Sequence, residues 1–276
     1  MSSEAHFADA TLTDNLLGLT DNADLAADAA REAQRLVIAF VGMAFEARIA
    51  AGPGIMVFAR NARRELAATA ANAARHGCRG IISFGVAGGL ATHLRTGDWV
   101  VASSVIEAGG PIPTHGGWSR RLLDAIGDAH HAPILGVDTP VADPATKRQL
   151  HRSSGAAAVD MESHVVARLA AAHGLAFTAL RVIVDPADRA IPPAALVGMG
   201  ADARADTAAI LRELAARPRQ LPLLARVTWD AFIARSQMQR VRGLLGSHFG
   251  LLDLPSTAPA NAELPEATAA AYRSLA

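Results

Sequence analysis

Two carboxylates, Asp160 and Glu162, flank Met161 where an apolar run meets a helix of Ala, Val and Leu in AAAVDMESHVVARLAAAHG (156–174). A helix start favours negative charge because its first N–H groups are unpaired and its dipole is positive there. An isolated D-x-E therefore has an ordinary structural explanation. Acids at the mouth of a strand-to-helix turn can also hold hydroxyl groups, since each carboxylate accepts two donors at once. A third acid, Asp185, closes the apolar run RVIVD. It falls at the C-terminal end of a strand, where open α/β sheets place ligand sites; the alternative is a turn cap ahead of Pro186. Asp188 suits that turn role better. A fourth acid, Glu46 in AFEAR, follows the first apolar run and can serve a ligand or start a helix.

FGVAGGL (84–90) follows a strand and supplies Gly85, Val86, Ala87, Gly88 and Gly89. Glycines let main-chain N–H groups approach an anion or a sugar closely. The spacing is not G-x-G-x-x-G and no Walker lysine follows, so a nucleotide-phosphate loop is not indicated. A tight turn explains it equally well. Of the ten histidines, His115 in PTHGGW stands before two glycines and can reach a ligand or lie exposed on a loop. His93, His130, His131, His151 and His173 show no metal-ligand spacing with acids, and His164 is two residues beyond Glu162 on a helix and so faces elsewhere. No metal and no cofactor are expected.

The elements that must position these groups alternate. LVIAFVG (36–42), GIMVFAR (54–60), CRGIISFG (78–85), TGDWVVASSVIEAGG (96–110), APILGVD (132–138), AAAVD (156–160) and LAFTALRVIVD (175–185) read as strands, the last long enough to be central. Residues 62–77, 119–130, 144–152 and 162–174 have helical composition. Such alternation implies an α/β class, a three-layer α/β/α sandwich around a mixed, mostly parallel sheet.

Three segments follow from this: an acidic N-terminal extension (1–34), an α/β domain (35–217), and a C-terminal helical segment with a mobile tail (218–276). In the last, Leu224, Val227, Ala231, Ala234, Met238, Val241 and Leu245 recur at helical spacing, with Arg226, Arg235, Arg240 and Arg242 around them and only Asp230 opposing. Either the helix packs on the body or a second subunit, or it is a basic amphipathic helix touching an anionic membrane surface.

Composition sets the outer limits. The chain has 276 residues, 51% hydrophobic and 19% charged, enough for one large domain with an appendage. Lys+Arg and Asp+Glu are both 26, which gives no reason to expect a nucleic-acid partner. The single cysteine, Cys78, excludes an internal disulfide and a cysteine-based zinc cluster. No apolar run reaches the roughly 18–20 residues a bilayer span needs, and the acidic start lacks the basic residues of a secretory signal. A cytoplasmic protein is expected, with contact at the periphery of the inner membrane left open.

Strand–VAGGL, strand–VDMES–helix and strand–RVIVDPAD, in that order over roughly residues 36–215, resemble the nucleoside phosphorylase and nucleosidase superfamily. Within it, VGMAFEAR (41–48), FGVAGGL and RVRGLLG (240–246) look closest to the hopanoid-associated branch, which releases adenine from adenosylhopane. The resemblance implies cleavage of a C1′–N9 bond through an oxocarbenium-like sugar. It makes Asp185 the acid that protonates purine N7, Glu162 the acceptor of the ribose 2′- and 3′-hydroxyls, Met161 a neighbour of the sugar face, and Glu46 the carboxylate that activates water. It places Val141 beside the base and the Gly85–Gly88 stretch at the nucleophile or anion. Asp160 is less certain of a role, since the family often has Glu there.

Phosphorolytic relatives carry an Arg before, and a Ser inside, the glycine loop; here Ser83 and Val86 stand in those places. Arg48 is left to supply charge, so phosphate stays open while water is the favoured acceptor. The resemblance also implies a homo-oligomer and a nucleoside substrate with an apolar 5′ group. Other readings are a methylthioadenosine/S-adenosylhomocysteine nucleosidase, a purine nucleoside phosphorylase, or a non-catalytic nucleoside- or lipid-binding protein on the same fold.

Overall fold

A computed structural model of the chain describes residues 37–59, 67, 68, 70–72, 78–198 and 207–253. The N-terminal extension, most of the 62–77 helical segment and the tail from Pro255 lie outside the described residues.

The first strand, β1 (Val37–Val41), is buried along its whole length. Successive side chains of a strand point to opposite faces, so Val37, Ala39 and Val41 enter one hydrophobic cluster and Ile38 and Phe40 the other. A strand covered on both faces has to be continuously apolar, which is why the run shows no polar alternation. The remaining strands are β2 (Ile55–Ala59), β3 (Gly80–Gly89), β4 (Trp99–Glu107), β5 (Gly110–Pro113), β6 (Ala129–Gly136), β7 (Ala158–Asp160) and β8 (Ala176–Asp185). They form one mixed sheet in the order β2-β1-β3-β7-β6-β4-β5. β8 pairs with both β3 and β4, so β3, β7, β6, β4 and β8 close into a ring. The pairings β1–β2, β1–β3, β3–β8, β4–β6 and β6–β7 are parallel; β3–β7, β4–β5 and β4–β8 are antiparallel.

Helices cover both faces. On one, α4 (Ser163–Ala172) buries Val166, Ala167 and Ala170 against Ile38, Ile81 and Ala179. On the other lie α1 (Ala44–Ala50), α2 (Gly116–Ile126) and α7 (Leu221–Leu244). They contribute Ala50, Trp118, Leu122, Ala234, Met238 and Val241 to the second cluster. Between these come α3 (Pro144–Ser154), α5 (Pro193–Gly198) and α6 (Thr207–Ala216).

Several expectations need correcting. The glycine segment after residue 84 is strand rather than loop: β3 runs on to Gly89 because β8 pairs with it from Gly80 to Gly88, through a register shift at Ala87/Gly88. The 96–110 segment ends earlier, at Glu107, and turns at Gly110 (φ 106°) into the hairpin partner β5. In α7 only the C-terminal half of the expected apolar seam is buried. Ala234, Met238, Val241 and Leu245 pack inward, whereas Leu224 and Val227 are half-buried and Ala231 is exposed. The seam also contains Asp230, which faces inward and pairs with Arg189 at 2.5 Å. Arg242 is not a surface charge: its Nε donates to the Ala50 carbonyl (3.1 Å) and its guanidinium lies 4.8 Å from the Phe249 ring centroid.

Candidate active site

A pocket opens at the C-terminal ends of β1, β3, β7 and β8, where the sheet presents main-chain groups and strand-end side chains together. Glu46, Asp160, Glu162 and Asp185 line it, with Met161, Val141 and the Val86–Gly88 edge of β3. The apolar wall is Met43, Val137, Pro140, Val159, Val184 and Ile191.

Glu46 reaches the pocket from the first turn of α1. Its Oε2 accepts the N–H groups of Gly42 and Met43, both at 2.8 Å, and its Oε1 accepts that of Val86 at 2.8 Å. The side chain thus ties the turn after β1 to β3. A Cβ at residue 85 would stand 2.5 Å from Glu46 Oε1 and 2.6 Å from Arg181 Nη1, so Gly85 is required by close approach. Burial pushes the Glu46 carboxyl up to about 7, with Arg181 pulling it down and Glu162 adding to the rise.

Beneath the pocket Arg181, wholly buried on β8, gathers the acids. Its Nε is 2.5 Å from Asp160 Oδ2, and its Nη2 is 3.8 Å from Glu162 Oε2 and 2.5 Å from Ser83 Oγ. Burial works against the guanidinium charge, but Asp160, Glu162 and Glu46 more than offset it and raise its proton affinity. Asp160 also accepts the Ser163 N–H (3.0 Å) and the Ser163 hydroxyl. It therefore caps the start of α4 and anchors Arg181, the structural role open to it from the outset. Glu162 is buried at the same helix start; a Cβ on Gly42 would come 3.0 Å from its Oε1, so that glycine makes room for it.

Asp185 stands apart from this cluster. Its Oδ2 is 2.6 Å from Lys147 Nζ. α3 presents that lysine from a well-fixed start: Asp143 accepts the Thr146 N–H at 2.7 Å, and Pro144 occupies the first turn. Burial raises the Asp185 carboxyl above its ordinary value and Lys147 opposes the rise.

Two candidates lie elsewhere. Arg48 is exposed on α1 and does not line the pocket, because Glu46 two residues earlier takes the inward face of that short helix. His115 is the N-cap of α2, its Nδ1 accepting the Trp118 N–H at 3.1 Å, and it too is outside the lining. Among the described residues no group of three or more His, Cys, Asp or Glu side chains is placed to hold a metal ion. Arg181 and Lys147 were not singled out from the sequence. The signal for Arg181 was present, a lone charge inside the apolar β8 run; Lys147, beside Arg148 in PATKRQLHR, looks like an ordinary solvated helix charge.

The Phosphorylase superfamily (PNP_UDP_1) matches residues 59–216, more than half of the chain. The chain belongs to this superfamily. No curated protein sequence matches it. Among solved structures it is similar to futalosine hydrolase of Helicobacter pylori, at 16% identity and TM-score 0.54, over 78% of this chain and 98% of that one. It is similar to 5′-methylthioadenosine/S-adenosyl homocysteine nucleosidase of Campylobacter jejuni at 12% identity and TM-score 0.55, over 79% and 99%. A putative nucleosidase of the same description from Francisella philomiragia aligns at 15% identity and TM-score 0.54, over 80% and 100%. At these identities the likeness is one of fold: the superfamily member has the mixed α/β sheet and flanking helices of the nucleosidase structures.

Proposed function

We propose that the protein is an N-glycosidase that releases adenine from a 5′-modified adenosine, with water as the acceptor. The observation that carries this reading is the convergence of Glu46, Glu162 and Asp185 on one pocket whose described lining contains four carboxylates and no lysine or arginine. A phosphate acceptor needs a cation or a fork of donors facing it. Here Arg181 is engaged by acids below the floor, Arg48 is outside, and the Val86 N–H is taken by Glu46.

In this reading Asp185 gives a proton to purine N7 as the C1′–N9 bond breaks, since adenine leaves poorly as an anion. Glu162 accepts the ribose 2′- and 3′-hydroxyls and favours the positive charge growing on the sugar. Met161 lies against the sugar, and Val141 with its apolar neighbours meets the base. Glu46, its proton affinity tuned to about 7, takes a proton from the attacking water. The favoured substrate is adenosylhopane, on the sequence resemblance together with an apolar pocket wall suited to a greasy 5′ group.

Assaying adenine release from adenosylhopane and from 5′-methylthioadenosine, with and without inorganic phosphate, tests the reading. Expected are free ribosyl product, no sugar phosphate, and a loss of about 100-fold or more on Asp185→Asn or Glu46→Gln. Sugar phosphate as the main product would overturn the water assignment, and unchanged turnover in Asp185→Asn the acid.

The same reading extends to where the enzyme works. No helix among the described residues is long and apolar enough to cross a membrane. The outer face of α7, however, exposes Leu221, Trp229 and Phe232 by 54%, 62% and 62%, the two rings stacked at 5.7 Å. Exposed Arg226 and Arg235 flank them, and the helix's own acid, Asp230, is turned inward. Aromatic and aliphatic side chains beside arginines with no acidic partner among the described residues suit an anionic lipid surface. Co-sedimentation with phosphatidylglycerol vesicles, lost in Trp229→Ser/Phe232→Ser, is expected; equal binding to neutral vesicles, or none to either, counts against it.

A further inference from the structure

Lys147 is wholly buried, and lysines are almost never so unless paired. Its Nζ is 2.6 Å from Asp185 Oδ2 and donates to the main-chain carbonyls of Asp185 (3.2 Å), Pro186 (3.0 Å) and Arg189 (3.0 Å). Every one of these neighbours is an oxygen acceptor. An ammonium carries three N–H donors and no lone pair, so the cage fits the protonated amine, with one N–H shared between two of the four oxygens, the Asp185 carbonyl at 3.2 Å being the longest contact. The three carbonyls belong to the turn that follows β8, and the same ammonium therefore fixes the turn and the carboxylate at its head. Among the described residues no side chain donates to Asp185 Oδ1, and the side chain retains 15% exposure at the pocket.

We propose that Lys147 is a positioning residue for Asp185: it clamps Oδ2 and the 185–189 turn so that Oδ1 is presented to the purine, and its charge stabilises the carboxylate that Asp185 becomes when its proton leaves. This rests on the reading of Asp185 as the acid. The proton count is simple. The O–H bond of Asp185 breaks and an N–H bond forms at N7; the electron pair of C1′–N9 goes to the purine. Asp185 keeps the negative charge beside Lys147, which retains all its protons.

Two opposed influences then set the acid. Burial, helped by the charge of Asp230 on α7, holds the proton on Asp185, and Lys147 makes it depart more readily. Asp230 is itself paired with Arg189 at 2.5 Å, and Asp188 is exposed, which leaves Lys147 as the cation in direct contact. An acid with the burial but no lysine would hold its proton more tightly and give it up reluctantly.

The experiment uses the full chain with Lys147→Met, Lys147→Gln and Lys147→Arg. Carbon-13 NMR of carboxyl-labelled aspartate follows the Asp185 titration, its signal assigned by disappearance in Asp185→Asn. Adenine release from 5′-methylthioadenosine is measured across pH in parallel. In Met and Gln the Asp185 midpoint should rise by about one pH unit or more. The descending limb of kcat should move with it, with the plateau about tenfold lower. Arg, which keeps the charge, should hold the midpoint near wild type. A midpoint that stays or falls in both neutral variants overturns the proposal, as does a lower plateau with the limb unmoved. Asp185→Asn turning over like wild type would instead remove the acid reading, while the NMR shift would still report the clamp.

Discussion

Glu46, from the first turn of α1, and Asp185, from the end of β8, enter one pocket and are held in different ways. Glu46 takes three main-chain N–H bonds, and the cation below it, Arg181, is divided among Glu46, Asp160 and Glu162. Asp185 takes no such bonds from neighbouring strands and has a lysine to itself. Burial raises both carboxyls. A shared guanidinium fixes several acids relative to one another, whereas a private ammonium acts on one. In the proposed mechanism the arrangement separates a rigid, ribose-and-water side from a side whose acidity can be set independently. Two carboxyl groups differing only in surroundings are the standard means by which one pocket supplies both a base and an acid.

The strongest way to break this division is Arg181→Met. It would leave Asp160, Glu162 and Glu46 buried around an apolar side chain with no cation. Removing one partner of a buried charge network costs about 3–5 kcal/mol. Urea unfolding should show a loss of that size with the fold otherwise retained at low denaturant; a loss below about 1 kcal/mol would mean the acids do not depend on the arginine.

A smaller effect separates the two sides directly. Gly85→Ala places a Cβ 2.5 Å from Glu46 Oε1, whereas Gly88→Ala meets Asp185 Oδ2 at 3.1 Å. The Glu46 carboxylate is tied by three hydrogen bonds and cannot swing aside, so the first substitution should destabilise by roughly 1–3 kcal/mol and disable the water side. The second needs a shift of a few tenths of an ångström. Comparable stability and turnover in the two variants would contradict the difference in rigidity.

How much of this arrangement was legible in the sequence depended on what each residue's neighbours in the chain reveal. The α/β alternation was readable because buried strands must be apolar on both faces, as in VIAFV, and because helices stop at Gly155 and Gly174. Glu46, Met161, Glu162, Asp185 and Val141 were nominated through motif resemblance, and the fold brings them to one pocket. The continuation of β3 through the glycines was hidden, because it depends on pairing with β8 nearly a hundred positions later (Gly88 with Asp185). Lys147 was hidden for the same reason. Its burial is created by the 185–189 turn, and nothing within α3 marks it. His115 misled because the two glycines that follow it read as a ligand loop, when the ring closes the first turn of a helix.

The comparison also fixes signs with pH. As the proposed base, Glu46 must be ionised to accept a proton, so the ascending limb of activity should have its midpoint near 7, and rate should fall about tenfold for each pH unit below it. Asp185 must be protonated, which gives the descending limb. For stability the sign is opposite to that of an ordinary salt-bridged acid. The folded value of Glu46 lies above its unfolded one, so its contribution is fully present below the ordinary carboxylate range and is lost as pH rises through about 7. Melting temperatures at pH 5.5 and 8.5 should therefore fall more in wild type than in Glu46→Gln; parallel falls would place the Glu46 carboxyl back in the ordinary range.

The mildest test lies outside the pocket. His115 sits at the start of α2, where its Nδ1 satisfies one of the unpaired N–H groups of the first turn. The helix it caps packs Trp118 and Leu122 into the core beneath the sheet, far in connectivity from any of the four pocket acids. Losing a helix cap costs about 1 kcal/mol, and the ring stands outside the described pocket lining. His115→Ala should therefore lower the unfolding free energy by about that amount and leave kcat and KM within twofold of wild type. If instead KM for 5′-methylthioadenosine rose tenfold with stability intact, the 5′ end of the ligand would reach across to α2. The pocket would then extend beyond the strand ends that Glu46 and Asp185 define.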